Sequence, residues 1–421
     1  RTVHTGLLEY KNVYRPARVI SYDKESGELM LHNYMDFDDL KDYVKISYEL
    51  TQDGLVISKG KLPEVSVAPH SEGKTNLKIN VRENGKCYLK LIYHLKKELP
   101  LLDEEHILGF DEIEVSKDDA KCKLAEKWLQ KTAVDSELQV NENDTQIHIK
   151  GREFAYTIDK RTALFTEMKF AGREYLNHPM ELNIWRAPTD NDMYIKSEWK
   201  KAHYDKAYTR AYTTEVVQGK HGVKITSHAS VVAETVQKIL DVTITWKIEA
   251  AGKIDADIAV TKDDEFPDLP RFGVRMFLDK KLSAVRYFGM GPQESYCDKH
   301  QAASHGLYRA DVGDLHEDYI RPQENGSHYD CEYVELNNSR YGIVASAEKA
   351  FSFNASYYTQ EELEKKTHNY ELIESDSVVF CVDYALNGIG SNSCGPVVLE
   401  QYRFDDVLFR FQFTLIPYVK G

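Results

Sequence analysis

Apolar and polar residues alternate with a period of two along most of this chain, which is the pattern of β-strands that bury one face. After a turn signal at Asn84–Gly85, every second residue of Cys87–Leu95 is apolar. Farther along, Val242–Ile248 alternates into a turn at Ala251–Gly252, and Ile254–Val260 alternates out of it. The first pattern predicts a hairpin turn and a half-buried strand, and the second predicts a long hairpin with one buried face. The chain is therefore predicted to be all-β.

The strand candidates fall into two groups, which predict two successive β-sandwiches. Several short strands early in the chain fit a small sandwich of immunoglobulin type, although no Cys-Trp-Cys framework supports an antibody-like domain. The later strands fit a large antiparallel sandwich. The other early candidates are Val19–Tyr22, Val44–Leu50 and Leu55–Leu62, and the later ones are Ile147–Ile149, Phe154–Ile158, Val223–Ile225 and Phe409–Leu415.

Helical signals are rare. The charged stretch Val115–Leu129 has weak helical spacing after a possible cap at Ser116, and we place a domain boundary there. Within the later part, Thr359 and Glu362 have the spacing of a capping box, which predicts a helix of one or two turns.

Length and charge narrow the class of protein. A chain of 421 residues is too long for one ordinary core, and its length indicates two or three domains. Its 54 basic residues face 68 acidic ones, and the net charge of −14 opposes non-specific binding to nucleic acid or to an anionic membrane. The sequence contains no apolar run of about 18 residues that would predict a membrane span.

The cysteines and the start of the chain bear on its location. The six cysteines are scattered without a Cys-x-x-Cys pair, which favours reduced thiols in the cytoplasm over a metal site or a disulfide framework. No charged-then-apolar signal segment opens the chain. A start at Arg1 instead of Met suggests either a processed chain or a piece of a longer protein. The six are Cys87, Cys122, Cys297, Cys331, Cys381 and Cys394.

Three motifs carry more specific information than the strand pattern. The motifs read Trp185-Arg-Ala-Pro-Thr-Asp-Asn-Asp192, Tyr287-Phe-Gly-Met-Gly-Pro-Gln-Glu-Ser-Tyr296 with Pro322-Gln-Glu-Asn-Gly326, and Gly388-Ile-Gly-Ser-Asn-Ser-Cys-Gly-Pro396. In this order and spacing, they resemble the terminal β-sandwich domain of the lacZ-type β-galactosidases, glycoside hydrolase family 2. Two flanks agree: Glu104–Asp111 is similar to the end of the family's immunoglobulin-like linker domain, and His4–Glu9 to the exit from its catalytic barrel.

The resemblance implies a domain organisation. Residues 1–13 would be the tail of an upstream catalytic barrel, and residues 14–115 an immunoglobulin-like β-sandwich. Residues 116–134 would be a linker, and residues 135–421 a large terminal β-sandwich of galactose mutarotase-like type. The chain would thus be the C-terminal, non-barrel portion of such an enzyme.

The resemblance also implies where the chemistry lies. The whole enzyme would hydrolyse terminal non-reducing β-D-galactosides such as lactose with retention, which requires two carboxyl groups about 5 to 5.5 Å apart. In this family both glutamates belong to the barrel, upstream of Arg1, so we expect no catalytic residue in this chain and no activity from it in isolation. Family barrels often use Mg and Na ions, but we expect no cofactor here. The expected partners are the upstream barrel, a β-galactoside and further copies of the full enzyme in a homo-oligomer, and neither nucleic acid nor a membrane.

The first motif has a structural and a functional interpretation. Structurally, Arg186 would pair with an aspartate while Pro188 and Asn191 shape a buried turn, so that Arg186, Asp190, Asn191 and Asp192 hold the motif together. Functionally, the resemblance implies that the loop Met193–Ser197 lies near the mouth of the sugar pocket, which makes Met193 and Tyr194 substrate-proximal.

The other motifs divide in the same way. Glu294 and Glu324, beside Gly-Pro and Asn-Gly turns, are expected to accept backbone hydrogen bonds. The resemblance implies that the loop of the last motif reaches the pocket, which makes Asn392, Ser393 and Cys394 substrate-proximal. The family commonly has an aromatic residue near the position of Cys394, and a cysteine cannot stack on a sugar face to the same extent.

Two other classes of function remain open. The chain could be a stand-alone galactoside-binding module or the small subunit of a split β-galactosidase. A mutarotase-like isomerase is a further alternative, although fold analogy is a poor warrant for activity.

Overall fold

The computed structural model describes residues 3–82, 84–118, 120–129, 138–390 and 393–420. The chain divides into two units by its internal contacts. The first comprises the chain up to Leu124 together with two later segments, Met290–Pro292 and His300–Tyr308. The second comprises the remainder from Ala125 onward. The domain limits given above from the sequence remain a prediction.

The first unit is a two-sheet β-sandwich. One sheet has the strand order β1-β2-β5 and the other the order β4-β3-β6-β7. Both sheets contribute to one apolar core that includes Leu29, Leu31, Leu89 and Leu91. The elements are α1 (Thr5–Val13), β1 (Ala17–Tyr22), β2 (Glu28–Asn33), α2 (Leu40–Tyr43), β3 (Val44–Gln52), β4 (Leu55–Lys61), β5 (Glu72–Asn76), β6 (Cys87–Leu95) and β7 (Ile107–Glu114).

Strand β6 shows why the alternation was a reliable signal and the turn was not. Every second position from Cys87 to Leu95 has at most 1% of its surface exposed, as the period of two predicts. The predicted hairpin at Asn84–Gly85 is wrong, because β5 pairs with β2 in one sheet while β6 pairs with β3 and β7 in the other. The chain crosses between the sheets there, and burial of the two inner faces decides the pairing.

The second unit is a larger antiparallel assembly. A five-stranded sheet has the order β12-β11-β10-β9-β8, and a second sheet runs β13-β18-β23-β22-β24-β17-β16-β15-β14 with β21 joined to β22. The elements from Ala125 onward are α3 (Glu126–Leu129), β8 (Gln139–Glu142), β9 (Gln146–Lys150), β10 (Phe154–Asp159), β11 (Leu164–Phe170), β12 (Arg173–Glu174), β13 (Leu176–Asn183), α4 (Ile195–Lys201), β14 (Tyr208–Gln218), β15 (Gly222–Val232), β16 (Leu240–Glu249), β17 (Ile254–Lys262), β18 (Arg271–Asp279), β19 (Ala284–Gly291), β20 (Ser304–Asp311), β21 (Ser327–Asn337), β22 (Tyr341–Ser356), α5 (Gln360–Lys365), β23 (Ser377–Leu386) and β24 (Leu408–Val419). The end of β19 and most of β20 are counted with the first unit.

The long hairpin of this unit confirms the sequence prediction. Strands β16 and β17 pair with Ile244 opposite Ile258, and Gly252 in the connecting turn has a φ of +88°, which an L side chain rarely adopts. The indole Nε1 of Trp246 donates to the carbonyl of Ala163 at 2.8 Å, and the hydroxyl of Tyr156 donates to the carbonyl of Gly252 at 2.7 Å. These bonds fix the five-stranded sheet on the larger one.

The helices differ more from expectation. Thr359 caps α5 through its side chain, which accepts the Glu362 N–H at 3.1 Å, and α5 has the predicted one to two turns. The only described helix near the predicted boundary is the single turn α3, and Ser116 does not cap it, because its hydroxyl accepts the Cys87 N–H. Part of the predicted loop Met193–Ser197 is helical, since α4 begins at Ile195.

The predicted fold class is confirmed. The chain is all-β in architecture, with an immunoglobulin-like sandwich followed by a large antiparallel sandwich, and the helices are short additions. Among the described residues, no helix is long and apolar enough to cross a membrane. In the same part of the chain, no three His, Cys, Asp or Glu side chains are grouped so as to hold a metal ion.

Candidate rim site

Arg186 is the centre of the first motif, and its side chain is fully buried. Its guanidinium group donates to both carboxylate oxygens of Asp192, at 2.7 and 3.2 Å, which is the bidentate geometry that fits an arginine to a carboxylate. It also donates to the backbone carbonyls of Asn387 and Gly388. The guanidinium carbon lies 5.1 Å from the ring centroid of Trp199 on α4. One buried cation therefore joins two segments that are 200 residues apart in the sequence.

The turn after Arg186 is closed by its own side chains. Asp192 accepts the Thr189 N–H at 2.8 Å, and the Asp192 N–H donates to the Thr189 carbonyl at 3.0 Å, which closes the 3₁₀ turn Asp190–Met193. A carboxylate at the start of a helical turn satisfies donors that have no partner within the turn. Asp192 thus stabilises the turn and balances the charge of Arg186.

A second buried pair supports the first. One oxygen of Glu324 accepts from Arg271 at 2.8 Å and the other accepts the Ala187 N–H at 3.1 Å. Arg271 also makes a bidentate pair with Asp383. Burial raises the pKa of Asp383 to about 6, although the positive charge of Arg271 opposes that shift. The network holds three carboxyl groups against two guanidinium groups, so it has an excess of negative charge when all three are ionised.

Gln323 holds the outer side of the turn. Its side-chain carbonyl accepts the Asp190 N–H at 3.1 Å, and its amide donates to the Asp190 carboxylate at 3.2 Å. The motif Pro322–Gly326 is thereby attached to the first motif at both Asp190 and Ala187.

The first residues of the last motif are also held by side-chain to backbone hydrogen bonds. The carboxylate of Asp298 accepts the N–H groups of Ile389 and Gly390, at 3.0 and 2.6 Å. The side-chain oxygen of Asn387 accepts the Phe404 N–H at 2.9 Å. A Cβ atom at Gly388 or Gly390 would come within 2.8 or 2.9 Å of an oxygen of Asp298, so side chains there would displace the carboxylate. The glycines of the motif therefore permit this close approach.

Asn191 connects the first motif directly to the loop of the last motif. Its amide donates to the Ile389 carbonyl at 2.9 Å, and its side-chain oxygen accepts from the Ser393 hydroxyl at 3.2 Å. The substrate-proximal candidates Met193 and Tyr194 have 43% and 56% of their surface exposed, and Cys394 is exposed too. Asn392 lies outside the described residues.

Glu294 anchors the remaining motif from within. It forms an ion pair with Lys299, accepts from the hydroxyl of Tyr319, and accepts the Gly326 N–H at 2.9 Å. Burial acts to raise the pKa of Glu294, but Lys299 and these hydrogen bonds outweigh it and hold the pKa below its ordinary value. Glu294 is consequently an ionised, fully engaged carboxylate at neutral pH.

The structure brings most of the sequence candidates into one region of the second unit. Arg186 and Asn191 bond to the last motif, and Asp192 pairs with Arg186. Glu324 is bonded to the first motif at Ala187, and Asp190 of that motif to Gln323, while Glu294 belongs to its own cluster. Sequence reasoning missed Arg271, Asp383, Asp298, Asn387 and Gln323. One of these had a usable signal, because Asp383 is the one charged residue of strand β23, where a buried charge requires a partner.

Two family models match the chain. The model described as "Beta galactosidase small chain" matches residues 150–415, and the model described as "Beta-galactosidase, domain 4" matches residues 29–116. The small-chain model covers more than half of the chain. The domain 4 match precedes it in the sequence, as the first unit precedes most of the second.

Full-length relatives agree with the family models. The chain is 42% identical over 416 residues to the β-galactosidase of Actinobacillus pleuropneumoniae, which covers 99% of this chain and 40% of the relative. It is 30% identical over 420 residues to the β-galactosidase of Staphylococcus xylosus, which covers 99% of this chain and 41% of the relative. The chain therefore spans about two fifths of the length of these relatives.

A solved structure also aligns with the chain, at low sequence identity. The galactose 1-epimerase of Lactobacillus acidophilus NCFM aligns with 69% of this chain and 100% of its own, at 9% identity and a TM-score of 0.37.

Proposed function

This chain belongs to the β-galactosidase family, and we propose that it is the C-terminal, non-catalytic part of an enzyme that hydrolyses terminal β-D-galactosides with retention. The observation that carries the proposal is that both family models match in order while the chain spans about two fifths of its relatives. The substrate class includes lactose, and the catalytic carboxyl pair belongs to the other part of the enzyme.

The hydrogen-bond partners of the buried carboxylates support the proposal that this part of the enzyme is non-catalytic. Both oxygens of Glu324 are used, one by Arg271 and one by a backbone N–H. Glu294 is held by Lys299 and Tyr319. A general acid or nucleophile needs a carboxyl group that faces substrate, which these engaged groups do not offer.

The two loops supply the proposed contribution to the active-site rim. We call the segments that Arg186 binds, at Asp192 and at Gly388, the roots of the two loops, and the exposed residues beyond them the tips. Arg186 fixes both roots, and Asn191 joins the two loops farther out. Met193 and Tyr194 on the first loop and Ser393 and Cys394 on the second are then presented together. Groups held on a rigid support position substrate better than groups on independent loops.

An activity assay tests the proposal. This chain alone, the N-terminal three fifths of the Actinobacillus relative alone, and the two joined in one polypeptide are assayed with a chromogenic β-galactoside. We expect activity only when both parts are present. Rates from the isolated chain equal to those of the joined protein would contradict the proposal.

Stereochemistry is tested on the same joined protein. Proton NMR of the first product should show β-galactose before the α-anomer grows in by mutarotation, since a retaining mechanism preserves the configuration. Initial release of α-galactose would exclude retention.

The split-subunit alternative is favoured by one observation, namely that the longer matching model is described as a small chain. Mixing the two parts as separate chains distinguishes the arrangements. Full activity on mixing would identify a small subunit, whereas activity restricted to the joined polypeptide would identify a domain.

Assembly and location complete the proposal. We expect the full enzyme to form a homo-oligomer, which light scattering on the joined protein would reveal. We also propose a cytoplasmic location, in keeping with six cysteines that form no disulfide bond in the described part of the chain.

A further inference from the structure

The largest sheet of the second unit splits beside β22. One edge of β22 pairs with β24 over Tyr341–Ser346 and with β23 over Ser352–Ser356. The five residues between these ladders, 347–351, are where β23 and β24 diverge. A split of this kind leaves room for a cavity between the ends of two strands.

A cavity of about 460 Å³ occupies this split. We name it the split cleft, and it is bounded by Glu348–Ser352 on β22, Tyr384–Leu386 on β23, Arg410–Gln412 on β24 and the segment Gln401–Phe404. Its volume lies within the range of about 300 to 1,000 Å³ that is typical of small-molecule sites. Every residue that lines it belongs to the second unit.

Three tyrosines give the cleft an aromatic wall. Tyr329, Tyr384 and Tyr402 line it, and each is half-buried, so part of each ring or hydroxyl group remains accessible. Tyr384 is held in place by Phe409, with the rings stacked at a centroid distance of 4.9 Å. Burial, and next the Asp406 carboxylate, raise the pKa of Tyr384, so its hydroxyl keeps its proton and remains a donor. Such rings combine an apolar face with a polar edge.

The charges in the cleft are nearly balanced. Three acidic side chains and three basic ones line it, and one of the basic ones, Arg410, is already paired with Asp257. The rest of the lining then has one more acidic than basic side chain, which disfavours an anion such as a phosphate and gives a cation only a small advantage. The lining also includes two exposed amides, Gln401 and Gln412, and the amide of Gln412 already donates to Asp257 at 3.1 Å. The acidic side chains are Asp330, Glu348 and Asp406, and the basic ones are Lys349, Arg403 and Arg410.

We propose that the split cleft binds a neutral pyranoside, with one face of the sugar ring on Tyr402 and the hydroxyl groups on Gln401, Lys349 and Arg403. Half-buried aromatic rings beside amide and charged groups fit a ligand that is apolar on its faces and polar around its rim. The volume admits a mono- or disaccharide. This site requires no catalytic carboxylate, so its test on the chain alone is independent of the proposed galactosidase function.

Ligand-observed NMR on the chain tests the proposal, with methyl β-galactoside, methyl β-glucoside and lactose as probes. Saturation transfer from the protein to at least one of these sugars is expected, with a dissociation constant of about 1 to 10 mM. Tyr402→Ala should weaken binding about three- to ten-fold, the loss expected for one aromatic contact. Ala350→Leu, at an exposed position of the lining, should weaken it similarly by narrowing the cleft.

Two controls define the outcomes. Tyr370→Ala removes a tyrosine that is 84% exposed and does not line the cleft, and binding should not change. Galacturonate should bind no more tightly than galactose. The proposal is overturned by the absence of transfer from all three sugars at about 50 mM, or by wild-type binding in both Tyr402→Ala and Ala350→Leu. Galacturonate binding more than ten-fold tighter than galactose would overturn the assignment to a neutral ligand. If Tyr402→Ala does not fold, Ala350→Leu decides.

Discussion

The roots and the tips of the two proposed rim loops are built differently. At the roots, Arg186 is fully buried and its guanidinium group binds one carboxylate and two carbonyls. At the tips, Met193, Tyr194 and Cys394 are exposed, and Ser393 donates a hydrogen bond to Asn191 at 3.2 Å. The roots are thus fixed by buried charge, whereas the tips expose their side chains.

This contrast separates two physical roles. A buried ion pair contributes little net stability over an apolar pair of similar volume, but it penalises any arrangement in which one partner is left alone. The roots therefore specify one position for the loop bases, while the tips can adjust to a ligand at small cost. The contrast predicts that a similar substitution will have very different effects at the two levels.

The largest effect is expected for Arg186→Met, which leaves the Asp192 carboxylate buried without its cation. The free energy of unfolding should fall by about 3 to 5 kcal/mol, the range for breaking a buried ion pair by removing one partner. Urea unfolding followed by tryptophan fluorescence measures this change, because all four tryptophans lie in the second unit.

Arg161→Met is the matched control for Arg186→Met. Arg161 makes the same bidentate pair, with Asp159, but its side chain is 75% exposed. Its loss should cost less than about 1 kcal/mol. Equal effects of the two substitutions would show that burial of the root does not matter.

The next effect concerns pH and Asp383, whose pKa is about 6 in the folded chain and near 3.9 in an unfolded one. A carboxyl group with a raised pKa binds its proton more tightly when the chain is folded, so stability declines as the pH rises from about 4 to about 6. Asp383→Asn removes this titration, so the stability of the variant does not decline over this range. The difference in the free energy of unfolding between wild type and variant should therefore shrink by roughly 2 kcal/mol between pH 4 and pH 7.

Asp257→Asn provides a control of opposite sign. The hydrogen bonds of Arg410 hold the pKa of Asp257 below its ordinary value, so its stabilising contribution is present above about pH 4 and is lost as the pH falls. The destabilisation by Asp257→Asn should grow as the pH rises, whereas that by Asp383→Asn should shrink. Profiles that change in the same direction would refute the assigned shift at Asp383.

The sequence predicted strands and faces well because alternation is a local property. The hairpin of β16 and β17 and the buried face of β24 follow from residues two apart. The turn at Asn84–Gly85 failed because strand partners are chosen by sheet packing and not by the turn alone. Helix α4 was missed because a seven-residue helix has too few residues for a periodic signal.

The site could be predicted only in part for a related reason. The motifs located Arg186, Asp192 and Glu324, but a bond from Arg186 to the carbonyl of Asn387 leaves no trace in side-chain identity. Asp298 was missed similarly, since it binds backbone N–H groups about 90 residues away. Distant backbone partners require the fold before they can be named.

Asn191 lies between the roots and the tips of the loops. A substitution there is expected to have the smallest effect on stability and to give the sharpest test of the contrast between them. Asn191→Ala removes the bonds to Ile389 and Ser393 from a half-buried position, so the free energy of unfolding should change by about 1 kcal/mol or less. In the joined, active protein, kcat/KM should nevertheless fall about three- to ten-fold, mainly through KM, because the tips lose their common position.

Asn177→Ala is the matched control, since the Asn177 amide also joins two segments, through Asp376 and Ser377, away from the rim loops. It should alter stability as little as Asn191→Ala does and leave kcat/KM unchanged. Ser393→Ala should reproduce part of the loss, and adding it to Asn191→Ala should have no further effect, because both substitutions break the same link. Additive losses would mean that Asn191 and Ser393 act separately, and that the tips are positioned by the roots alone.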